Sequence, residues 1–540
     1  MKKHFFLILI LVFSAFFRFY ELGNNPPSLN WDEVSHGYNA YSILKTGRDE
    51  WGARFPLIFR AYGDYKLPLY IYLTVPGIAV LGLNAFSIRL ISALSGIGLV
   101  LVAYLIGEKI TSSKKYALLA AFLTAVSPWS LFVSRVALEA NLAAFLFSLG
   151  VYFSISWIKE PKGNHLTLAM ICWGLSLYAY NSARILVPLF LFFFLILIIK
   201  KKLLGKESIV PAILFLVFLL PLLPQFFNQS GKARFGLVSL IDQGTVNKII
   251  ELRQSSKLPA NLSRLLYNRP SFLVFYSLQN YFSNLSPYYL FFRGGSHYQF
   301  SLPDHELLYL VTLPFVIAGI LKVLKGRAEE KVLLFWFLAA FLPSAITRDA
   351  PHALRTILIL PAPMLLTALG LEWIDKKITP RSVFKGKLLL VVLVFSVLVS
   401  FGEWWKDYWQ IYPKTYSWAW QYGYKEAVLF IKENYSRYSR IFFTKKYGEP
   451  HEFILSYFPW EPARYQTDPN KVWDYHANWY WLDSFDKFVF FNDWEAGKIK
   501  CQNSNCLLLT SSGNYSSGWH KIKTINFLDG QPAFDILENE

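Results

Sequence analysis

Residues 5–33 read FFLILILVFSAFFRFYELGNNPPSLNWDE, and the fold is decided within this stretch. It opens with an uncharged apolar run from Phe5 to Phe17, passes Arg18, and ends on the adjacent acidic pair Asp32-Glu33. A cleaved secretion signal needs a small-x-small site after its apolar run. Phe17-Arg18-Phe19-Tyr20 follows instead, so the segment reads as a retained membrane span with Lys2 and Lys3 on the cytoplasmic side. The acidic pair then lies just beyond the far end of that span.

The rest of the chain has the same character. Of 540 residues, 54% are hydrophobic and only 17% charged, against roughly 25% charged in soluble globular proteins, so much of the surface must face lipid. The 47 Phe and 18 Trp suit lipid contact and interfacial anchoring. A formal net charge of +18 would point to nucleic acid in a soluble protein. Here the lysines sit in short loops between apolar runs, so topology accounts for them and no nucleic-acid partner is expected.

Apolar runs near 5–20, 87–107, 117–134, 137–158, 166–181, 184–200, 208–227, 306–324, 331–346, 354–373 and 387–403 predict about 11 spans of roughly 20 residues each. A further run, Leu67 to Leu83, is decided by the positive-inside rule. If it does not cross, then Lys109, Lys114 and Lys115, Lys159 and Lys162, Lys200 to Lys202 with Lys206, Lys322 to Lys331, and Lys376 to Lys387 with Arg381 all fall on one side with Lys2 and Lys3. Pro68 and Pro76 favour a short, interfacial helix there. The expected organisation is mainly α: a transmembrane bundle over 1–403, with exterior loops 21–86 and 228–305, followed by a soluble extracytoplasmic α/β domain over 404–540. The protein is expected in the cell membrane, with a cytoplasmic N-terminus. Cys501 and Cys506 could close one small loop in that outer domain, and the sequence leaves this open.

Polar groups beside a membrane are costly, and their positions carry information. Asn30-Trp31-Asp32-Glu33 has two readings. Asn30 followed by Glu33 three residues later is a capping box, which accounts for Glu33 and leaves Asp32 available for chemistry. Lys66, in Tyr65-Lys66-Leu67-Pro68-Leu69-Tyr70, is either a snorkelling anchor or a cation sharing an exterior loop with Asp32. Arg135 and Glu139 have the spacing of a helical ion pair; Arg184, Arg348 and Arg355 add cations in other exterior turns, with His352 beside the last two. A carboxylate facing several cations suits transfer of a group from a lipid phosphate: the carboxylate takes a proton from the attacking acceptor and the cations stabilise the departing phosphate.

At these residues the chain resembles the GT-C glycosyltransferases. The acidic pair after the first span, the Lys-x-Pro-Leu stretch at Lys66–Leu69 and the Ser134-Arg135-x-x-x-Glu139 turn are most similar to the protein O-mannosyltransferase branch, which includes the bacterial aminoarabinose transferase of lipid A. The resemblance implies an inverting, single-displacement transfer from a polyprenyl-phosphate sugar to an extracytoplasmic glycan, lipid or protein acceptor. Asp32 would be the base with Glu33 beside it. Lys66, Arg135, Arg184, Arg348 and Arg355 would bind the lipid phosphate, and His36, Tyr62, Asp64, Glu139 and His352 would line the donor or acceptor pocket. Glu139 stands where relatives often carry Asp. Loop 228–305 is too short for the beta-trefoil of the eukaryotic enzymes, which weakens a protein acceptor.

No cofactor is expected to be required. The sequence lacks Gly-x-Gly-x-x-Gly and Walker-type loops and shows no zinc-finger spacing. A metal-dependent oligosaccharyltransferase or ligase would need more carboxylates around Asp32, with Asp49, Asp64 and Asp304 as candidates. A lipid or polysaccharide transporter would carry ionisable groups deep within its spans or paired broken helices, whereas the polar residues here gather on one face.

Overall fold

The computed structural model describes residues 4–161, 163–228, 236, 238–378, 383–501 and 505–539. Of the basic residues expected on the cytoplasmic side, Lys2, Lys3, Lys162 and Arg381 lie outside them. The chain divides into two compact units that interleave along the sequence: Met1–Arg18, Leu94–Ser134 and Glu139–Trp404 form the first, and Phe19–Ala93, Arg135–Leu138 and Trp405–Glu540 the second. This differs from two consecutive domains meeting at 403/404. Residues 19–93 fall in one unit with the C-terminal region.

The first unit is helical. Among the described residues six helices are long and apolar enough to cross a membrane: Ala85–Ile110, Glu139–Lys159, Ala183–Lys200, Lys206–Gln225, Ile357–Ile378 and Phe384–Gln410, the first and last of which continue into the second unit. A seventh arises if Lys114–Val126 and Pro128–Ser134, bent by 54°, are one broken span. Phe5–Phe19 (α1), His165–Ser176 and Leu310–Leu324 are shorter apolar helices. The set is that of a multi-pass membrane protein, with fewer full-length helices than the apolar runs suggest; Pro128 and Pro343 fall at breaks in two of those runs.

The break at Pro128 shows how such an interruption is tolerated. Proline offers no N–H to the preceding turn, so carbonyls before it lose their ladder partners. Arg18, at the end of α1 and fully buried, donates to Ala125 O at 3.1 Å, to Ser130 Oγ at 3.1 Å and to Ser14 Oγ at 2.7 Å. Its guanidinium thus satisfies backbone that lipid could not. Elsewhere helices Leu313–Leu324 and Ala362–Ile378 approach so closely that a Cβ on Gly370 would lie 1.9 Å from Phe315 O, the close approach that small residues permit between membrane helices.

The second unit is built on a seven-stranded mixed sheet. Its strands are β3 (Arg440–Thr444), β4 (Val472–His476), β5 (Trp479–Phe485), β6 (Phe488–Phe491), β7 (Cys506–Ser511), β8 (Trp519–Asn526) and β9 (Pro532–Asn539), in the order β4-β5-β6-β3-β7-β9-β8. Only β3 pairs in parallel, with β6 and β7, and β3 is buried at Ile441 through Thr444, as a central strand covered on both faces should be. Phe442, Leu508, Leu537, Trp519 and Phe491 form one core on this sheet. Cys501 and Cys506 are joined by a disulfide at the start of β7.

The same unit holds α2 (Trp31–Thr46), a two-residue hairpin of β1 (Phe59–Arg60) and β2 (Tyr65–Lys66), and α3 (Pro68–Leu81). Helix α3 has 14 residues, with Pro68 in its first turn and Pro76 inside. At 1.5 Å per residue it measures about 21 Å, against a hydrocarbon core of roughly 30 Å.

Candidate active site

The start of α2 separates the two acidic neighbours into different roles. Asn30 caps the helix: its side chain accepts from Glu33 N at 3.0 Å, and Glu33 Oε2 accepts from Asn30 N at 3.2 Å, completing the capping box. Glu33 also pairs with Arg89 from the N-terminal turns of Ala85–Ile110 (α4), at 2.8 Å and 3.0 Å, both side chains being fully buried. Ala137 N donates to the same carboxylate at 2.8 Å. Arg89 donates further to the carbonyls of Leu22, Pro26 and Ser28. Glu33 is therefore a bracket that holds the loop before α2 in place. Its neighbour Asp32 points elsewhere.

Asp32 is 38% exposed and forms an ion pair with Lys66 at 2.6 Å. The hairpin sets this geometry. Asp64 Oδ1 accepts from Tyr65 N at 2.7 Å and Ala61 N donates to Asp64 O at 2.9 Å, which closes the turn and places Lys66 opposite Phe59. Pro68 then starts α3 directly. The turn is braced by the sheet: Tyr480 N donates to Tyr62 O at 2.7 Å, and a Cβ on Gly63 would lie 2.2 Å from the Trp479 ring. His36, one helical turn after Asp32, is buried with its ring 5.4 Å from that of Tyr70.

Tyr62 leads to a second, fully buried group of acids. Its hydroxyl contacts Glu50 at 3.2 Å, His451 Nε2 at 3.0 Å, and Glu452. Asn39 donates to Glu50 at 2.9 Å and accepts from Glu50 N at 3.1 Å. Trp479 Nε1 donates to Glu449 at 2.6 Å. Burial, first among the causes, pushes Glu452 up to about 7 and Glu50 well above the ordinary carboxylate range. Burial also brings His451 down to about 3 and so keeps it neutral. Two buried acids this close favour sharing a proton. They tie the loop that bears Lys66 to helix Pro450–Tyr457.

Arg135 lies in the second unit as well. It is fully buried and donates to Tyr408 Oη at 3.1 Å and Asn25 O at 2.9 Å, with its guanidinium 5.5–5.8 Å from the rings of Trp405, Tyr408 and Trp409. These bonds make it an anchor for the 21–29 loop, where a phosphate ligand had been expected.

The remaining expected residues belong to the first unit. Glu139 begins its helix. Arg184 donates to Leu177 O at 3.2 Å and Gln225 Oε1 at 2.9 Å. Arg348 faces Asp242 at 3.6 Å, and Arg355 faces Asp349 at 3.5 Å while donating to Thr347 Oγ1 at 3.0 Å. His352 accepts from Arg355 N at 3.3 Å, and its own N–H donates to Asn284 at 3.1 Å. Arg348, Arg355 and His352 thus share one polar loop, and Arg184 has a different set of partners. Asp49 accepts from Ala53 N at 2.8 Å and Asp64 closes the hairpin, so each is engaged in local turn geometry. Among the described residues no group of three or more His, Cys, Asp or Glu is arranged to hold a metal ion.

Sequence reasoning missed Arg89, Glu50, His451 and Glu452. The acidic run Asp49-Glu50 was the only available signal, since the partners of both buried groups are far away in the chain.

With this geometry in view, the likenesses to known proteins can be placed. The family model for dolichyl-phosphate-mannose-protein mannosyltransferase matches residues 66–226. An uncharacterized protein of Aquifex aeolicus is 27% identical over 287 residues, 52% of this chain and 54% of its own. YkcB of Bacillus subtilis, whose name proposes mannosyl transfer, is 28% identical over 211 residues, 37% of this chain and 28% of its own. The chain therefore spans about half or less of the length of these two relatives. Among solved structures, ArnT of Cupriavidus metallidurans superposes over 100% of this chain and 99% of its own, with a TM-score of 0.59 at 11% identity. The archaeal oligosaccharyltransferase AglB of Archaeoglobus fulgidus covers 84% of this chain and 64% of its own, with a TM-score of 0.50 at 17% identity. The fold is the GT-C membrane fold, as the sequence resemblance implies; the matched family model describes a mannosyltransferase, and the name of the Bacillus subtilis relative proposes the same activity.

Proposed function

We propose that the protein is an inverting glycosyltransferase that moves a sugar from a polyprenyl-phosphate carrier to an extracytoplasmic acceptor, with Asp32 as base and Lys66 as the phosphate-binding cation. The observation that carries this reading is the 2.6 Å pair of a partly exposed Asp32 with Lys66, on a loop fixed by the buried Glu33–Arg89 pair. The acceptor oxygen or nitrogen attacks the anomeric carbon and gives its proton to Asp32, while the bond from that carbon to the phosphate oxygen breaks and its electrons stay on the phosphate. Lys66 stabilises that charge. Before the donor binds, Asp32 neutralises Lys66; a phosphate that takes over the lysine frees the carboxylate to accept a proton. ArnT has been solved bound to undecaprenyl phosphate, and a carrier of this kind fits the proposed chemistry. No metal enters this reaction scheme. The disulfide Cys501–Cys506 suits an oxidising compartment and supports an orientation with the sheet-bearing unit outside the cell membrane and the N-terminus in the cytoplasm.

The test is release of polyprenyl phosphate from a panel of polyprenyl-phosphate sugars, with membrane extract as acceptor, with and without a chelator. Wild-type release that resists chelation, with Asp32→Asn reduced about 10²–10⁴-fold and Lys66→Met about 10²–10³-fold, is the expected outcome. Full activity in Asp32→Asn overturns the base assignment, and release abolished by chelation moves the reading to a metal-dependent transferase.

A further inference from the structure

The second unit contains an open cavity of about 910 Å³ separate from the Asp32–Lys66 pair, lined by the 23–29 loop, residues 83–85 and the C-terminal region. Ligand pockets run to about 300–1,000 Å³, so this one has room for an occupant of several rings. Two of its lining side chains have polar atoms without a protein partner. Asn25 is 2% exposed; its Nδ2 donates to Tyr408 O at 3.1 Å, but its Oδ1 is buried and accepts nothing. Trp409 Nε1, also buried, donates to nothing. Buried polar groups are normally satisfied, and each exception calls for an explanation. Both residues line the same cavity, but these two atoms have no accessible surface of their own, so what the cavity offers a ligand is the Trp409 ring and the groups around it. Tyr422 and Tyr457 add aromatic rings with hydroxyls to that wall.

Charge narrows the class of occupant. The charged lining residues are Lys425 and Lys523 against Glu426 and Glu433, and Lys523 is already paired with Glu426 at 2.6 Å. A wall balanced in this way offers little to a phosphate. It suits a neutral molecule whose hydroxyls both donate and accept and whose C–H faces lie on aromatic rings. We infer that this cavity binds a saccharide, the sugar moiety of the acceptor. Its position agrees with that role: Gln421, next to the lining Tyr422, accepts from Trp31 N at 3.2 Å, one residue before Asp32. The cavity follows from its own lining, and naming the occupant as acceptor rests on the function proposed above.

The test uses the full chain in nanodiscs free of glycoside detergent, with maltotriose, mannotriose and chitotriose as probes and saturation-transfer NMR as readout. At least one trisaccharide is expected to bind. Trp409→Leu, which removes the aromatic face, weakens that binding about fivefold, and Tyr422→Ala weakens it at least as much, both at unchanged circular dichroism and melting temperature. Absence of binding by all three probes overturns the inference, as does wild-type affinity in both variants. The wild type separates the two readings. Trisaccharide binding by a wild-type protein that releases no polyprenyl phosphate from any donor leaves the saccharide site standing and removes the transferase, whereas release without saccharide binding does the reverse; Asp32→Asn is expected to keep trisaccharide binding while losing release.

Discussion

Adjacent acidic residues in one helical turn do different work here. Asp32 faces Lys66 and solvent, while Glu33 is committed to the Asn30 cap and to Arg89. Removing one partner of a buried ion pair strands the other charge, at a cost of about 3–5 kcal/mol. Arg89→Met is therefore expected to lower the melting temperature and donor turnover together. The double variant Arg89→Met with Glu33→Gln should recover part of the stability, which thermal melts in nanodiscs would show; a double variant no more stable than the single one would contradict the bracket. The capping half of Glu33's role was legible in Asn30-x-x-Glu33. The Arg89 half was not, because an arginine 56 positions away inside an apolar run reads as a helix-end anchor. Lys66 was legible as a neighbour of Asp32 since one loop carries both, whereas the burial of Arg135 against Tyr408 and Asn25 could not be read from its turn.

At the scale of elements, the hairpin β1–β2 sets where Lys66 sits, and the contact of Gly63 with Trp479 sets the hairpin. A methyl group there would lie 2.2 Å from the Trp479 ring, so Gly63→Ala must displace the turn or the strand. Overpacking of this kind costs about 1–3 kcal/mol. The expected result is a raised KM for the donor, measured by polyprenyl phosphate release, with Trp479→Leu restoring part of the affinity in the Gly63→Ala background. Unchanged donor KM in Gly63→Ala would show that the hairpin does not govern Lys66. The shortness of α3 was legible from Pro68 and Pro76. The bend at Pro128 was signalled by Ser127-Pro128 inside the run 117–134, but the side chain that makes the bend tolerable, Arg18, comes from another helix and was not legible.

For the whole molecule, the buried acids joining the first loop to helix Pro450–Tyr457 predict how stability responds to pH. Glu452 and Glu50 have raised values in the fold, so both contributions are complete below the ordinary carboxylate value of 4.5; that of Glu452 is lost as pH rises through about 7, and that of Glu50 falls in the same direction. His451, brought from 6.5 to about 3, acts in the opposite sense; its contribution is present above 6.5 and is lost as pH falls toward 3. Above 6.5 the carboxyls act alone, and the melting temperature should fall by a few degrees as pH rises to about 8. Glu452→Gln should flatten that decline; an unaltered slope would remove this cluster as its origin. None of this was legible in the sequence, where the C-terminal region showed only an aromatic, strand-rich composition. The interleaving of the units also imposes a schedule on biosynthesis. The segment bearing Asp32 and Lys66 leaves the ribosome well before the strands that brace it, and chains elongate at about 5–20 residues per second. During that interval the loop is a template waiting for its mould, open to proteases and chaperones on its side of the membrane. Pulse-chase labelling should find it cleavable in nascent chains and resistant only once β9 has been made.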